Sequence, residues 1–205
     1  NPSLTCIEVD DAAYSATNWT LIDAQTSFSE NCNYNETFVP DDNFEQALID
    51  LGYDSGPLDD YVPTANIDGI TSLDVSSKGI ADLTGIENFM ALEILNCGIN
   101  PLSGYNLVLN QNTNLIELYC ITAELGSLDI SQNTALTTLE LLLNELTSLD
   151  VSQNTALEFI SCGGNELTNL DLSQNVALRT LNCISNQLTN LDLSQNTALE
   201  TLICN

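Results

Sequence analysis

From Leu118 onward the hydrophobic positions of this chain return at one constant interval. Leu118, Leu139, Ile160, Leu181 and Leu202 head successive segments, and Leu181 to Thr201, LNCISNQLTNLDLSQNTALET, can stand for all of them. Within a segment the apolar positions occupied by Leu178, Leu181, Cys183, Leu188, Leu191 and Leu193 fall at spacings of two, three and five. Neither a helix nor a long strand has that spacing, but a short strand followed by turns does. A fixed period of this size predicts a solenoid of parallel β coils with little helix, each coil stable only when stacked on its neighbours. The periodic region starts near Ile70 with a longer coil, in which Ile80, Leu83, Ile86, Phe89, Leu92 and Leu95 come at threes. Between Leu102 and Leu107 the spacing stretches to five, so Ser103 to Asn106 is expected to bulge with Tyr105 exposed.

Ahead of the periodic part, Phe44, Ala47, Leu48 and Leu51 recur at helical spacing. Asp41 to Asn43 can cap the start, and Gly52 can adopt the left-handed stop. This predicts a short capping helix over the apolar end of the first coil. The division expected is 1–37, the end of a preceding repeat with a closing segment; 38–69, capping helix and acidic loop; and 70–205, the solenoid with an incomplete last coil.

The run Leu178-Arg179-Thr180-Leu181-Asn182-Cys183-Ile184-Ser185-Asn186-Gln187-Leu188 follows the leucine-rich repeat signature L-x-x-L-x-L/C-x-x-N-x-L. With its LDLSQNTAL blocks, the VPDDNFEQALIDLGYD head and the DGITSLDVSSKGIADLTGIENF start, the chain resembles the 21-residue leucine-rich repeat proteins secreted by Bacteroidetes, flavobacteria especially. The resemblance covers nearly the whole chain and implies the solenoid fold. Function does not follow from it, because such repeats serve many binding roles.

Charge narrows the partners. With 29 acidic residues, only Lys78 and Arg179 as cations and no histidine, the formal charge is −27. Such a surface repels phosphate backbones and anionic lipid, which argues against nucleic-acid binding and membrane insertion, and salt or divalent cations would relieve its self-repulsion. A secreted, extracellular or cell-surface setting fits. Catalysis has little support, since histidine is absent and no nucleophile sits in a recognisable setting; the chain is expected not to be an enzyme, and no cofactor is expected.

Cys97, Cys120, Cys162, Cys183 and Cys204 share one coil position, filled by Leu141 in the coil without cysteine, and read as buried thiols. Pairing between adjacent ladder cysteines is the alternative. Cys6 and Cys32 stand outside that column and are expected to form a disulfide, worth about 3 kcal/mol in the chain-entropy estimate. None has zinc spacing.

Function must sit on residues between the inward ones. The strand face gives three outward columns, from which Ile94, Tyr119, Ile121, Glu140, Leu142, Phe159, Ile184 and Ile203 are the candidate interaction residues. Their aliphatic and aromatic content exceeds what an inert sheet needs. Asp129, Asp150, Asp171 and Asp192 form another column, expected to be a hydrogen-bonded turn ladder with the serines two residues on; calcium held by these carboxylates, or by the acidic loop of Asp54, Asp59, Asp60 and Asp68, is the weaker alternative. Asn144, Asn165 and Asn186 should bond the backbone of neighbouring coils.

Finally, the broken coil at Leu202-Ile203-Cys204-Asn205 is continued in phase by the first nine residues. If residue 1 followed residue 205, Leu4 would occupy the Leu188 position, Ile7 that of Leu191, Glu8 that of Asp192 and Val9 that of Leu193. The leading expectation is therefore one unit of a head-to-tail array, a surface fibre or stalk, jointed through Leu4, Ile7, Val9, Leu202 and Cys204. The alternative is an adhesin whose strand face holds another surface protein or a glycan.

Overall fold

The structure, a computed structural model, describes residues 6–8, 27–29, 36–102 and 107–205. The chain divides into two compact units, Asn1–Glu36 and Thr37–Asn205. In the first, β1 (Cys6–Glu8) runs parallel to β2 (Ser27–Ser29), with Cys6 opposite Ser27, Ile7 opposite Phe28 and Glu8 opposite Ser29. The step from Cys6 to Ser27 equals the step from Leu118 to Leu139, the period of the solenoid, in a segment whose sequence shows no repeat. Cys32, and with it the expected disulfide, lies outside the described residues, as do Leu4, Val9 and Tyr105.

The larger unit opens inside β3 (Glu36–Phe38) and continues with α1 (Asp42–Asp50), β4 (Tyr61–Pro63), which pairs with β3, and a single turn, α2 (Thr64–Ile67). The helix starts at Asp41, whose Oδ1 accepts from the backbone N–H groups of Asn43 and Phe44, as an N-cap should. Its Oδ2 accepts from the N–H groups of Ala81 and Asp82. One carboxylate thus starts the helix and fastens it to the first coil. Phe44, Ala47 and Leu48 are buried in the same core as the coils, and Phe44 stacks on Phe89 with centroids 6.4 Å apart. Leu51 does not join them. It is the C-cap residue and is 44% exposed, because the helix has ended and Gly52 turns the chain away at φ 81°. Glu45 takes a buried place instead, its two carboxylate oxygens accepting from the N–H groups of Asp59 and Asp60 at 2.8 and 3.0 Å.

Seven three-residue strands then form one parallel sheet in chain order: β5 (Ser72–Asp74), β6 (Ile94–Asn96), β7 (Glu117–Tyr119), β8 (Thr138–Glu140), β9 (Phe159–Ser161), β10 (Thr180–Asn182) and β11 (Thr201–Ile203). Their middle residues, Leu73, Leu95, Leu118, Leu139, Ile160, Leu181 and Leu202, stand opposite one another. The first six are buried. Truncating one of these leucines to alanine carries the usual core cost of about 2–5 kcal/mol. In the coil from Leu181 to Thr201, Leu188, Leu191 and Leu193 are partly buried, whereas their equivalents Leu167, Leu170 and Leu172 in the preceding coil are buried.

Two asparagine ladders hold the turns. Asn100, Asn144, Asn165 and Asn186 each donate Nδ2 to a carbonyl three residues back and to one in the previous coil, as Asn165 does to Cys162 and Leu141 at 2.9 and 2.8 Å. Their Oδ1 atoms accept backbone N–H groups of that previous coil. Where Ala123 replaces the asparagine the ladder skips a coil. The second ladder, Asn112, Asn133, Asn154, Asn175 and Asn196, runs unbroken on the other side of the coil. Each donates Nδ2 to two carbonyls and leaves a buried Oδ1 without a partner.

Cys97, Cys120, Cys162 and Cys183 are buried free thiols, and Cys204 is a free thiol exposed on the last coil. Cys97 and Cys120 bring their sulfurs to 2.9 Å.

Candidate functional site

The outward residues of the sheet fall where the period places them. Tyr119 and Glu140 face each other across β7 and β8, Ile94 lies beside Glu117, and Phe159 lies between Thr138 and Thr180. All are half-buried; Ile203, at the far end beyond Asn182, is exposed. Ile121, Leu142 and Ile184 share a third column just after the strands with Gly98 and Gly163. The candidates therefore occupy three columns, with the aliphatic ones concentrated in the third.

A feature that the sequence pattern did not reveal lies one residue further on. Ser77, Ile99, Thr122, Leu143, Gly164 and Ser185 all adopt left-handed backbone, φ between 51° and 66°. The conformation is imposed by the ladder, since each residue's N–H donates to a carbonyl of the next coil while the chain turns out of the strand, as Leu143 does to Gly163 at 2.9 Å. For a side chain other than glycine or asparagine it costs about 1–2 kcal/mol, and β-branched Ile99 and Thr122 are the worst suited to it. Yet Ile99 is 60% and Leu143 62% exposed. These are the two most exposed large apolar side chains among the described residues, and at the Leu143 position the next coil, with Gly164, shows that glycine fits.

The glycines shape the surface around them. A Cβ on Gly163 would lie 2.8 Å from Ile184 Cγ2 and 3.1 Å from Leu142 Cδ2, and one on Gly164 would lie 2.7 Å from Leu143 Cδ2. Leu142 and Leu143 therefore lie across the bare backbone of the next coil, and Ile184 closes over it from the other side. The result is a flat aliphatic panel. Carboxylates border it on both sides: Glu117 and Glu140 on the strands, and exposed Glu124, Glu145 and Glu166 beyond the left-handed turn. Tyr119 donates its hydroxyl to Glu117 Oε2 at 2.6 Å, and that bond, with burial and the charge of Glu140, pushes the phenol up to about 12. Tyr119 therefore stays a neutral donor that pins Glu117. Both cations pair with other carboxylates, Lys78 with Asp50 at 3.4 Å and Arg179 with Glu158 and Glu200 at 3.4 and 2.8 Å.

The aspartate column is a set of turns. Asp129, Asp150, Asp171 and Asp192 each accept, at 2.9 Å, the backbone N–H of the serine two residues on. Those bonds hold all four carboxyls below the usual range, as the Ser76 N–H does for Asp74. Asp171 and Asp192 border a shallow polar groove of about 190 Å³ with Asn169, Ser173, Asn190 and Gln195. Among the described residues the acidic group close enough to converge on an ion is Asp42, Glu45 and Asp60, within 4.8 Å of one another; there both Glu45 oxygens are already taken by backbone N–H groups. The buried thiols are poor metal ligands in turn, because burial raises Cys162 to about 12 and raises Cys183, and the Cys97 contact and burial raise Cys120.

Short parallel strands, inward leucines and asparagine-bonded turns define a leucine-rich repeat solenoid. Solved structures agree. The chain is similar to the functional domain of InlJ from Listeria monocytogenes, described as including a cysteine ladder, at 31% identity over 83% of this chain and 47% of that one, TM-score 0.58. It is similar to internalin C2 from Listeria monocytogenes at 19% identity over 85% and 92%, TM-score 0.60, and to a leucine-rich repeat protein of Leptospira interrogans at 25% identity over 70% and 40%, TM-score 0.64. The chain thus spans under half the length of the InlJ domain and of the Leptospira protein. No protein-family model matches the sequence, and comparison with curated proteins gives no match. Among the described residues no helix is long and apolar enough to cross a membrane.

Proposed function

We propose that this chain is a non-enzymatic, extracellular interaction module that binds another surface macromolecule through the strand face of its solenoid. The observation that carries the reading is the aliphatic panel of Leu142, Leu143 and Ile184, which the core does not use and which includes a strained, exposed leucine. Contiguous apolar surface of this kind marks interaction sites. The test is a panel of purified extracellular proteins and glycans, probed with the wild type, with Leu142→Asp and Phe159→Asp on the face, and with Val176→Asp, an exposed apolar position in the turn before β10. Ligands lost in both face variants and kept by Val176→Asp support the reading. Ligands held equally by all four proteins contradict it.

A second reading, assembly into a head-to-tail fibre, is favoured by a different observation. In the N-terminal unit β1 and β2 pair in parallel one repeat period apart, and β1 contains Ile7 and Glu8, which align in phase with Leu191 and Asp192. In the solenoid the same coil position makes its own parallel bridge, Val108 to Asp129, again one period apart. Pairing of residues 6–8 in the manner of coil backbone supports the reading, since an array requires it. Electron microscopy at rising protein concentration tests it: threads with an axial repeat of one unit are expected, and rods of constant length contradict it.

A further inference from the structure

We infer that the partner of the strand face is a cationic amphipathic protein segment, apolar side chains flanked by lysine or arginine, seated on the panel of Leu142, Leu143 and Ile184. The inference rests on the recognition reading above and names its partner by charge and shape. The panel is flat because Gly163 and Gly164 carry no side chain there and the neighbouring aliphatic chains lie over them. It presents surface to a partner without presenting a pocket, so the occupant is an extended or helical segment rather than a small molecule.

The border fixes the sign of the partner. Within one coil the order is Glu140, then Leu142 and Leu143, then Glu145; in the coil before it Glu117 and Glu124 flank Ile121. Coils follow one another at the strand spacing of about 4.8 Å, so Glu124, Glu145 and Glu166 form a row beyond the turn, while on the strand side Glu140 stands opposite Tyr119 and Glu117 lies one column further out, opposite Thr138. Tyr119, beside Glu140, holds Glu117 in place through the 2.6 Å hydrogen bond. Both cations of the chain are engaged elsewhere. A second copy of this chain, at −27, is repelled from such a face, as are anionic lipid and nucleic acid. A segment with apolar residues in the middle and basic residues at its margins buries the strip and meets the carboxylates on either side of it, and its on-rate gains from the field of the whole chain.

Leu143 separates this role from a structural one. Its backbone is left-handed, which asparagine tolerates better than leucine does. A residue kept only for the fold would be improved by that exchange without loss elsewhere.

Three labelled synthetic peptides test the inference by fluorescence anisotropy on the intact chain: a leucine run flanked by lysines (Leu–Lys), a glycine run with the same flanking lysines (Gly–Lys), and the leucine run flanked by glutamates (Leu–Glu). The Leu–Lys peptide is expected to bind, to weaken as salt rises, to bind Leu143→Asn about tenfold more weakly, and to bind Val176→Asn unchanged. Leu143→Asn is expected to melt no lower than the wild type, so a lost affinity is not a lost fold. Replacing Glu124, Glu145 and Glu166 by glutamine is expected to weaken binding and flatten its salt dependence. Absence of Leu–Lys binding, equal binding of Gly–Lys, or indifference to Leu143→Asn overturns the inference. Preferential binding of Leu–Glu that Leu143→Asn abolishes overturns the cationic partner while leaving recognition through this face standing.

Discussion

Leu143 and Asn144 are neighbours in sequence and opposites in role. Asn144 is buried and joins two coils: its Oδ1 accepts from the N–H groups of Ala123 and Leu125, and its Nδ2 donates to the carbonyls of Cys120 and Leu141. Leu143 lies over Gly164 with most of its side chain exposed, on a backbone conformation that disfavours it. The pair teaches that a coil satisfies its turn with one residue and leaves the adjoining one free, so sequence at the free position answers to something other than folding. The same contrast recurs at Ile99 and Asn100.

Substitutions on each side of that contrast should differ in size and sign. The largest expected effect is at Asn144: alanine leaves three backbone groups short of a partner in a buried turn, the N–H groups of Ala123 and Leu125 and the carbonyl of Cys120, while the Leu141 carbonyl keeps the Asn165 amide, and at about 1–3 kcal/mol for each unsatisfied group the loss should be about 4 kcal/mol or more by urea denaturation. Because coils stack in one dimension, the transition should also broaden or split as the two halves uncouple. Asp41→Ala removes the acceptor for four N–H groups in a more exposed place. A loss of about 2–3 kcal/mol is expected, the helix cap alone supplying about 1, and loss of α1 helicity by circular dichroism would show that the cap goes first.

Acid sensitivity comes next. Asp129, Asp150, Asp171 and Asp192 are held below their ordinary value of about 3.9 by the serine N–H groups. In the folded chain they bind protons less readily than in the unfolded one, so their stabilisation is complete above pH 4 to 5 and is lost as pH falls through their folded values. Thermal melts between pH 5 and 2 should fall less steeply in the variant with all four changed to asparagine. An identical slope would show that the acid response comes from other carboxylates.

The solenoid was legible because a constant period places Leu118, Leu139, Ile160 and Leu181 in register, and stacking leaves such a pattern few places to go. The helix was legible from Phe44, Ala47 and Leu48 with Asp41 and Gly52 at its ends, though Leu51 lies past the last turn and is exposed. Other features gave weaker signals. Asn112, Asn133, Asn154, Asn175 and Asn196 recur as plainly as the first asparagine set, but their place beside the Asp and Ser columns suggests partners for those carboxylates, whereas their amides bond backbone carbonyls of the previous coil. The left-handed column was hidden because Ile99, Thr122 and Leu143 are residues that sequence reasoning assigns to strands, and only Gly164 hints at the turn. The single-period step between β1 and β2 was hidden because the intervening segment carries no repeat of its own. The candidate face was legible as columns, but not as a panel, because its flatness depends on side chains of one coil lying over the glycines of the next.

The most direct measurement on the central claim, that the exposed position beside each turn asparagine is not there for the fold, is the urea unfolding of Leu143→Asn. Relief of left-handed strain predicts a gain of about 1 kcal/mol, the smallest of these effects and the only one with a stabilising sign. A loss of similar size would mean that Leu143 supports the solenoid, and would contradict the assignment of this panel to recognition.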